Sequence, residues 1–159
     1  MVRKKALCKH CTQSKVENNN KTILARSYNM SRIRNKDTKP EVMVRKYLFG
    51  NGFRYKKNVS NLPGKPDIVL PKYRAVIFVN GCFWHRHLDC KYFVWPKTNK
   101  EFWVKKLNEN CERDEKNYSL LRNKGWRVMV VWECELRREV RQEKLQDLVD
   151  SLRCLQSSN

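Results

Sequence analysis

Pro66-Asp67-Ile68-Val69-Leu70-Pro71-Lys72-Tyr73-Arg74-Ala75-Val76-Ile77-Phe78-Val79 carries the strongest fold signal in this chain. Two short apolar runs, Ile68–Leu70 and Ala75–Val79, flank a Pro71–Arg74 linker of hairpin length, which predicts a pair of strands. A carboxylate, Asp67, leads into the first strand behind a proline. The second strand runs straight into Val79-Asn80-Gly81-Cys82-Phe83-Trp84-His85-Arg86-His87-Leu88-Asp89-Cys90. That stretch packs soft metal ligands, an acid/base candidate, two large aromatics and an arginine into a short loop.

Working outward, Thr38-Lys39-Pro40-Glu41 fits a capping box, so a helix is expected from Thr38 until Gly50-Asn51-Gly52 stops it. Phe53-Arg54-Tyr55 reads as a short strand and Leu62-Pro63-Gly64-Lys65-Pro66 as a turn. Residues 99–123 predict a long amphipathic helix with Phe102, Trp103, Leu107, Tyr118 and Leu121 on its apolar positions, closed by Gly125. Trp126 to Trp132 is apolar enough for a central strand. Residues 138–154 predict a last amphipathic helix through Val140, Leu145, Leu148, Val149 and Leu152. The order helix, strands, helix, strand, helix indicates an α/β fold with a mixed central sheet. Residues 1–25 lack apolar periodicity and read as a mobile basic arm, leaving 26–159 as the folded domain. Cys8 and Cys11 in that arm have no second pair nearby and are expected to stay unliganded.

The 159 residues suit one domain, and a hydrophobic fraction of 40% suffices for one core. Lys and Arg number 35 against 16 Asp and Glu, a formal charge of +19. Spread along the chain, that excess favours a nucleic-acid polyanion over a membrane surface and predicts salt-dependent binding. No apolar run approaches the ~20 residues of a membrane span, and no signal-peptide pattern follows the basic N-terminus. An intracellular protein is expected. There, seven cysteines read as metal ligands or buried residues before disulfides.

Cys82, His87 and Cys90 supply three zinc-type ligands, and Cys134, just past the last strand, supplies a fourth. Spacing alone leaves His85 and His87 as alternative ligands. Cys111 and Cys154 fall on helices and read as buried small residues. Asp67 at a strand start, followed by a hairpin partner, is a layout suited to Mg²⁺, which takes hard oxygen ligands and keeps several waters. Glu41 combines its capping role with that of a second carboxylate. Phe83 and Trp84, between ligands on a loop, and Trp103 are candidates for stacking on or wedging between bases.

These residues make the chain resemble the very-short-patch-repair (Vsr) mismatch endonucleases. The resemblance runs from about Arg26 to Cys134. It rests on Arg26-Ser27-x-Asn29-Met30, Asp37-Thr38-x-x-Glu41, Leu62-Pro63-Gly64-x-Pro66-Asp67 and Gly81-Cys82-Phe83-Trp84-His85. It continues through Glu101-Phe102-Trp103, Glu112-Arg113-Asp114, Gly125-Trp126-Arg127-Val128 and Trp132-Glu133-Cys134. The resemblance implies a restriction-endonuclease-like (PD-(D/E)XK-type) sheet with a structural zinc. It implies Mg²⁺-dependent nicking of one strand beside the thymine of a T·G mismatch left by 5-methylcytosine deamination. Asp67 and the Val79 carbonyl would hold Mg²⁺, His85 would be the general base, and Glu41 would act through the metal's water shell. Cys82, His87, Cys90 and Cys134 would hold Zn²⁺. Phe83, Trp84 and Trp103 would wedge from the major groove and Met30 from the minor groove. Asn80 stands where a histidine can assist phosphate chemistry; an amide can hydrogen-bond there but cannot transfer a proton near neutral pH.

The implied partner is duplex DNA carrying the mismatch, met by a monomer in the bacterial cytoplasm at the nucleoid, with a functional link to a cytosine methyltransferase and mismatch-repair proteins. Two rival expectations keep the same residues. One is a restriction-type or structure-specific nuclease without mismatch preference; the other is a non-catalytic, zinc-stabilised DNA-binding module.

Overall fold

The computed structural model describes residues 36–154. The basic arm, Cys8, Cys11, Arg26 and Met30 lie outside the described residues. Helix α1 spans Lys39–Gly50, and its capping box forms as the sequence predicts. The Thr38 hydroxyl faces the Glu41 N–H while the Glu41 carboxylate reaches back to the Thr38 N–H at 3.3 Å, satisfying donors that a helix start leaves free.

A mixed four-stranded sheet follows, made of β1 (Lys56–Lys57), β2 (Ile68–Leu70), β3 (Ala75–Asn80) and β4 (Arg127–Trp132), in that spatial order. β2 and β3 are the expected hairpin, antiparallel with Val69 opposite Val76. Their linker is a single 3-10 turn, Pro71–Tyr73, closed by Arg74 in a left-handed conformation (φ 48°). β4 adds parallel to β3, pairing Ala75 with Arg127 and Asn80 with Trp132. Parallel pairing demands a long crossover. Residues 81–99 and helix α2 (Lys100–Asn123) supply it. Gly125, at φ +74°, lets the chain leave α2 and enter β4; a Cβ there would come within 2.9 Å of Arg74 Nη2. Helix α3, Arg141–Cys154, ends the described fold.

Strand alternation splits the core into two layers. Ile68, Leu70, Ala75, Ile77 and Val131 face α1 and α3. Val69, Val76 and Phe78 face Tyr118 and Leu121 of α2. With both faces covered, every strand residue near the middle has to be apolar.

That fact explains one correction. β4 was expected to be central, yet among the described residues it lies at the sheet's edge beside β3 alone. Its continuous apolar run reflects helices on both faces, with Val128 and Val130 on one layer and Met129 and Val131 on the other, not pairing on both edges. The strand expected at Phe53–Tyr55 falls instead on Lys56–Lys57. Phe53 is buried, and its N–H donates to the Leu48 carbonyl at 3.0 Å, so its backbone closes α1 and is not available to a ladder. Phe102 and Val140, expected on apolar helix faces, are exposed, as is Cys154. Cys111 is half-buried and its thiol lies 3.4 Å from the His85 carbonyl oxygen.

Candidate active site and metal centre

The open end of the β2–β3 hairpin gathers the catalytic candidates. Asp67, one residue before β2, turns its carboxylate back so that Oδ2 accepts the Val79 N–H at 2.8 Å. Burial pushes its carboxyl from 3.8 up to about 6, and the negative charge of Glu41 adds to that rise. The Val79 hydrogen bond and the charges of Arg45 and His85 oppose it. The same field therefore carries Glu41, Arg45 and His85, residues that come from α1 and from the loop after β3.

Glu41 is almost fully buried at 4% exposure. Oε1 accepts the Thr38 hydroxyl at 2.7 Å and Oε2 accepts the Asp37 N–H at 3.0 Å, so the cap engages both oxygens. Arg45, buried one turn along α1, lies 3.7 Å from Glu41 Oε2 and 2.6 Å from Asp37 Oδ1. A buried guanidinium beside Glu41 offsets the negative charge that Glu41 brings to the field of Asp67.

His85 does not join the thiols. Its Nδ1 lies 2.5 Å from Asp114 Oδ2 on α2. An imidazole held at Nδ1 by a carboxylate has a fixed tautomer and leaves Nε2 as the proton acceptor. α2 grips the neighbouring backbone as well. Asn110 donates to the Trp84 carbonyl at 3.1 Å, and Arg86, itself left-handed at φ 45°, donates to Asn108. Asn80 points to the α2 layer, where its amide donates to the Tyr118 hydroxyl at 2.9 Å and is 5% exposed. Burial pushes the Tyr118 phenol up to about 12, so that hydroxyl stays protonated.

The same loop also contributes to a thiol–imidazole cluster that could hold a metal ion. The ligand atoms of Cys82, His87, Cys90 and Cys134 all lie within 4.8 Å of one another. A tetrahedral ion with Zn–S bonds near 2.3 Å separates its ligand atoms by about 3.8 Å, so three thiols and one imidazole at this spacing fit zinc. His87 Nδ1 is 3.4 Å from Cys134 Sγ, and its ring stacks flat on Trp132 at 4.0 Å and 3°. Burial pushes the Cys82 thiol up to about 12, a group that ionises readily only when a cation replaces its proton. Geometry thus resolves the histidine alternative: His87 belongs with the cysteines and His85 with Asp114.

Phe83, Trp84 and Trp103 also come together. Their ring centroids are 5.2 Å apart for Phe83–Trp84, 5.3 Å for Phe83–Trp103 and 6.2 Å for Trp84–Trp103.

A family model for the DNA mismatch endonuclease Vsr matches residues 19–92, which include Glu41, Asp67 and the 82–90 loop. The type II nicking enzyme V.NmeAIP of Neisseria meningitidis is 50% identical over 133 residues, covering 83% of this chain and 94% of that protein. The DNA mismatch endonuclease Vsr of Escherichia coli K12 is 46% identical over 122 residues, covering 77% and 76% respectively. The chain belongs to the Vsr DNA mismatch endonuclease family. A third relative, the type II nicking enzyme V.XorIIP of Xanthomonas oryzae, is 45% identical over 111 residues, 70% of this chain and 81% of that one.

Reading the sequence for Vsr-type chemistry found Asp67, Glu41 and His85 but gave no site role to Asp114, Arg45 or Tyr118. The spacing of Arg45 four residues after Glu41 was the available signal for one of them. Asp114 stands in the Glu112-Arg113-Asp114 motif of the resemblance, but its pairing with His85 carried no spacing signal, because that partner lies 29 positions away. No helix among the described residues is long and apolar enough to cross a membrane.

Proposed function

We propose that this protein is a Mg²⁺-dependent, zinc-stabilised endonuclease that nicks DNA beside the thymine of a T·G mismatch. The convergence at Asp67 carries the reading: a half-buried carboxyl in the field of Glu41, Arg45 and His85, the histidine paired with Asp114 and borne on the loop that also carries Phe83 and Trp84. The fold is read as restriction-endonuclease-like, with the domain over 26–159 behind the basic arm, acting as a monomer on bacterial nucleoid DNA in the cytoplasm. A functional link to a cytosine methyltransferase and mismatch-repair proteins follows from the lesion itself.

Asp67 and the Val79 carbonyl would hold magnesium. In a strand, the N–H and C=O of one residue point to the same side, and the Val79 N–H already reaches Asp67. When bound, the ion would neutralise phosphate charge and ease deprotonation of water. His85 Nε2, oriented by Asp114, takes the proton from the attacking water. The water oxygen bonds to phosphorus as the bond to the 3′ oxygen breaks, and that departing oxygen takes a proton from solvent water, leaving a 5′-phosphate and a 3′-hydroxyl. Glu41 would assist through the metal's water shell, and Asn80 holds the end of β3 against Tyr118. Cys82, His87, Cys90 and Cys134 would hold zinc, which pins the loop that carries His85. Phe83, Trp84 and Trp103 would wedge at the weakly stacked mismatch, with Met30 on the minor-groove side.

The test is nicking of end-labelled duplexes bearing T·G, T·A or C·G at one position, with and without Mg²⁺. A Mg²⁺-dependent cut beside the T of T·G alone supports the reading. Equal cutting of all three keeps a nicking nuclease and removes the mismatch. Binding without a cut on any duplex assigns the chain to the non-catalytic class.

A further inference from the structure

The ring cluster does not end with the wedge candidates. Phe93 lies 6.5 Å from Phe83, and Trp95 lies 5.1 Å from Phe93. At the other end Phe102 lies 5.3 Å from Trp103. The rings therefore run without a break from Trp95 through Phe93, Phe83 and Trp103 to Phe102. Exposure follows a simple pattern along that chain. Phe83, Trp84, Phe93 and Trp103 are half-buried against one another, while Trp95 is 42% and Phe102 59% exposed. Val94, between the first two rings, is exposed at 68%.

An apolar surface of this kind on a chain of charge +19 has a limited set of occupants. Between residues 91 and 106 the charged side chains are Lys91, Lys97, Lys100, Lys105 and Lys106 against Glu101 alone. All of these lysines are exposed. Exposed aromatics with lysines around them fit a polyanion that also offers flat apolar faces, which describes nucleic acid and no lipid headgroup or acidic peptide.

We propose that Trp95 and Phe102 form a second duplex-contacting surface, which extends the wedge on both sides and stacks on or packs into the base steps flanking the site of insertion. The half-buried rings between them make that surface rigid. A wedge supported at both ends holds the duplex open over more than one step, so the neighbouring base pairs contribute to recognition through the ease with which they unstack. This surface rests on the reading of the chain as a duplex-cutting enzyme.

The experiment uses the full-length protein with zinc retained and no Mg²⁺, so that no duplex is cut. Kd is measured by fluorescence anisotropy on one T·G duplex and its T·A counterpart for wild type, Trp95→Ala, Trp95→Phe, Phe102→Ala and Phe49→Ala. The last removes an exposed ring of α1 outside the cluster. Loss of one stacked ring raises Kd roughly tenfold, within the range for base–aromatic stacking. Trp95→Phe restores most of the affinity, and Phe49→Ala binds as wild type. Because the lost contact is uncharged, the slope of log Kd against log salt is unchanged in Trp95→Ala. 2-Aminopurine placed in turn at each flanking step brightens with wild type and stays dim with Trp95→Ala at the step that this ring opens. Wild-type Kd and an unchanged 2-aminopurine profile in both alanine variants overturn the proposal and assign the rings to another partner. Wild type binding T·G and T·A duplexes equally removes the mismatch reading instead, and the variant ratios still decide the surface. Wild type binding no duplex overturns both.

Discussion

Replacing Asp67 by asparagine is expected to abolish nicking and at the same time to stabilise the protein, but only at neutral and alkaline pH. The carboxyl is pushed from 3.8 up to about 6, chiefly by burial. In the range between those values the folded protein binds a proton that the unfolded chain has released. Stability therefore falls as pH rises through this window, and the loss is complete above about pH 6. A displacement of that size costs about 3 kcal/mol when the group is held ionised. Asparagine is isosteric, never ionises and keeps an oxygen to accept the Val79 N–H, so it removes the cost without opening a cavity. Without Mg²⁺, and with zinc retained, Tm of Asp67→Asn at pH 8 is expected to exceed wild type by roughly 5–10 °C. At pH 4, where the wild-type carboxyl is protonated in the fold, the two curves should nearly coincide. Added Mg²⁺ should raise Tm of wild type alone, since only the carboxylate binds the ion. Thermal melts by circular dichroism at the two pH values decide the matter. A variant less stable than wild type at pH 8, or an equal gap at both pH values, refutes the argument that Asp67 is held ionised at a cost that its ligand repays.

Three further substitutions probe separate parts of the site. Asp114→Asn leaves His85 without a charged partner and should lower the single-turnover nicking rate about 10²- to 10⁴-fold with duplex affinity retained; a rate within threefold of wild type contradicts the pairing. Cys90→Ala removes one of four clustered ligands, and atomic emission should find the zinc content well below one per chain, with Tm lowered; full zinc content refutes the ligand set. Thr38→Ala removes the side-chain half of the capping box and should cost about 1 kcal/mol in urea unfolding, and an unchanged midpoint would show that the cap contributes nothing.

The hairpin and α1 were legible because their signals are local. Short apolar runs, a linker of turn length and the Thr38–Glu41 spacing each act within a few residues, and the elements that they predict form as expected. The place of β4 was not legible. An apolar run records contact with the packed faces rather than pairing on both edges, and Val128 to Val131 alternate between the two core layers, half-buried except for Val131. The shift from Phe53–Tyr55 to Lys56–Lys57 has a similar cause. β-type residues were present, but the Phe53 backbone was already needed to close α1.

The two histidines of the 82–90 loop show the same limit at the scale of the site. Both lie within a few residues of Cys82 and Cys90, both are ordinary zinc ligands, and no spacing rule separates them. What separates them is the far side of each ring. The parallel placement of β4 beside β3 sets Trp132 beneath His87 and brings Cys134 to 3.4 Å from it. The crossover helix that such parallel pairing requires lays Asp114 against His85 and Asn110 against the Trp84 carbonyl. One histidine is thereby set among the thiols and its near neighbour against a carboxylate, by partners 47 and 29 positions away. The assignment follows from topology, and it makes the chemistry of the loop depend on α2 as much as on the loop's own residues. A substitution on α2 that never touches DNA, Asp114→Asn, should therefore reduce nicking while leaving the thiol cluster loaded, and zinc content measured on that same variant separates loss of the base from loss of the loop.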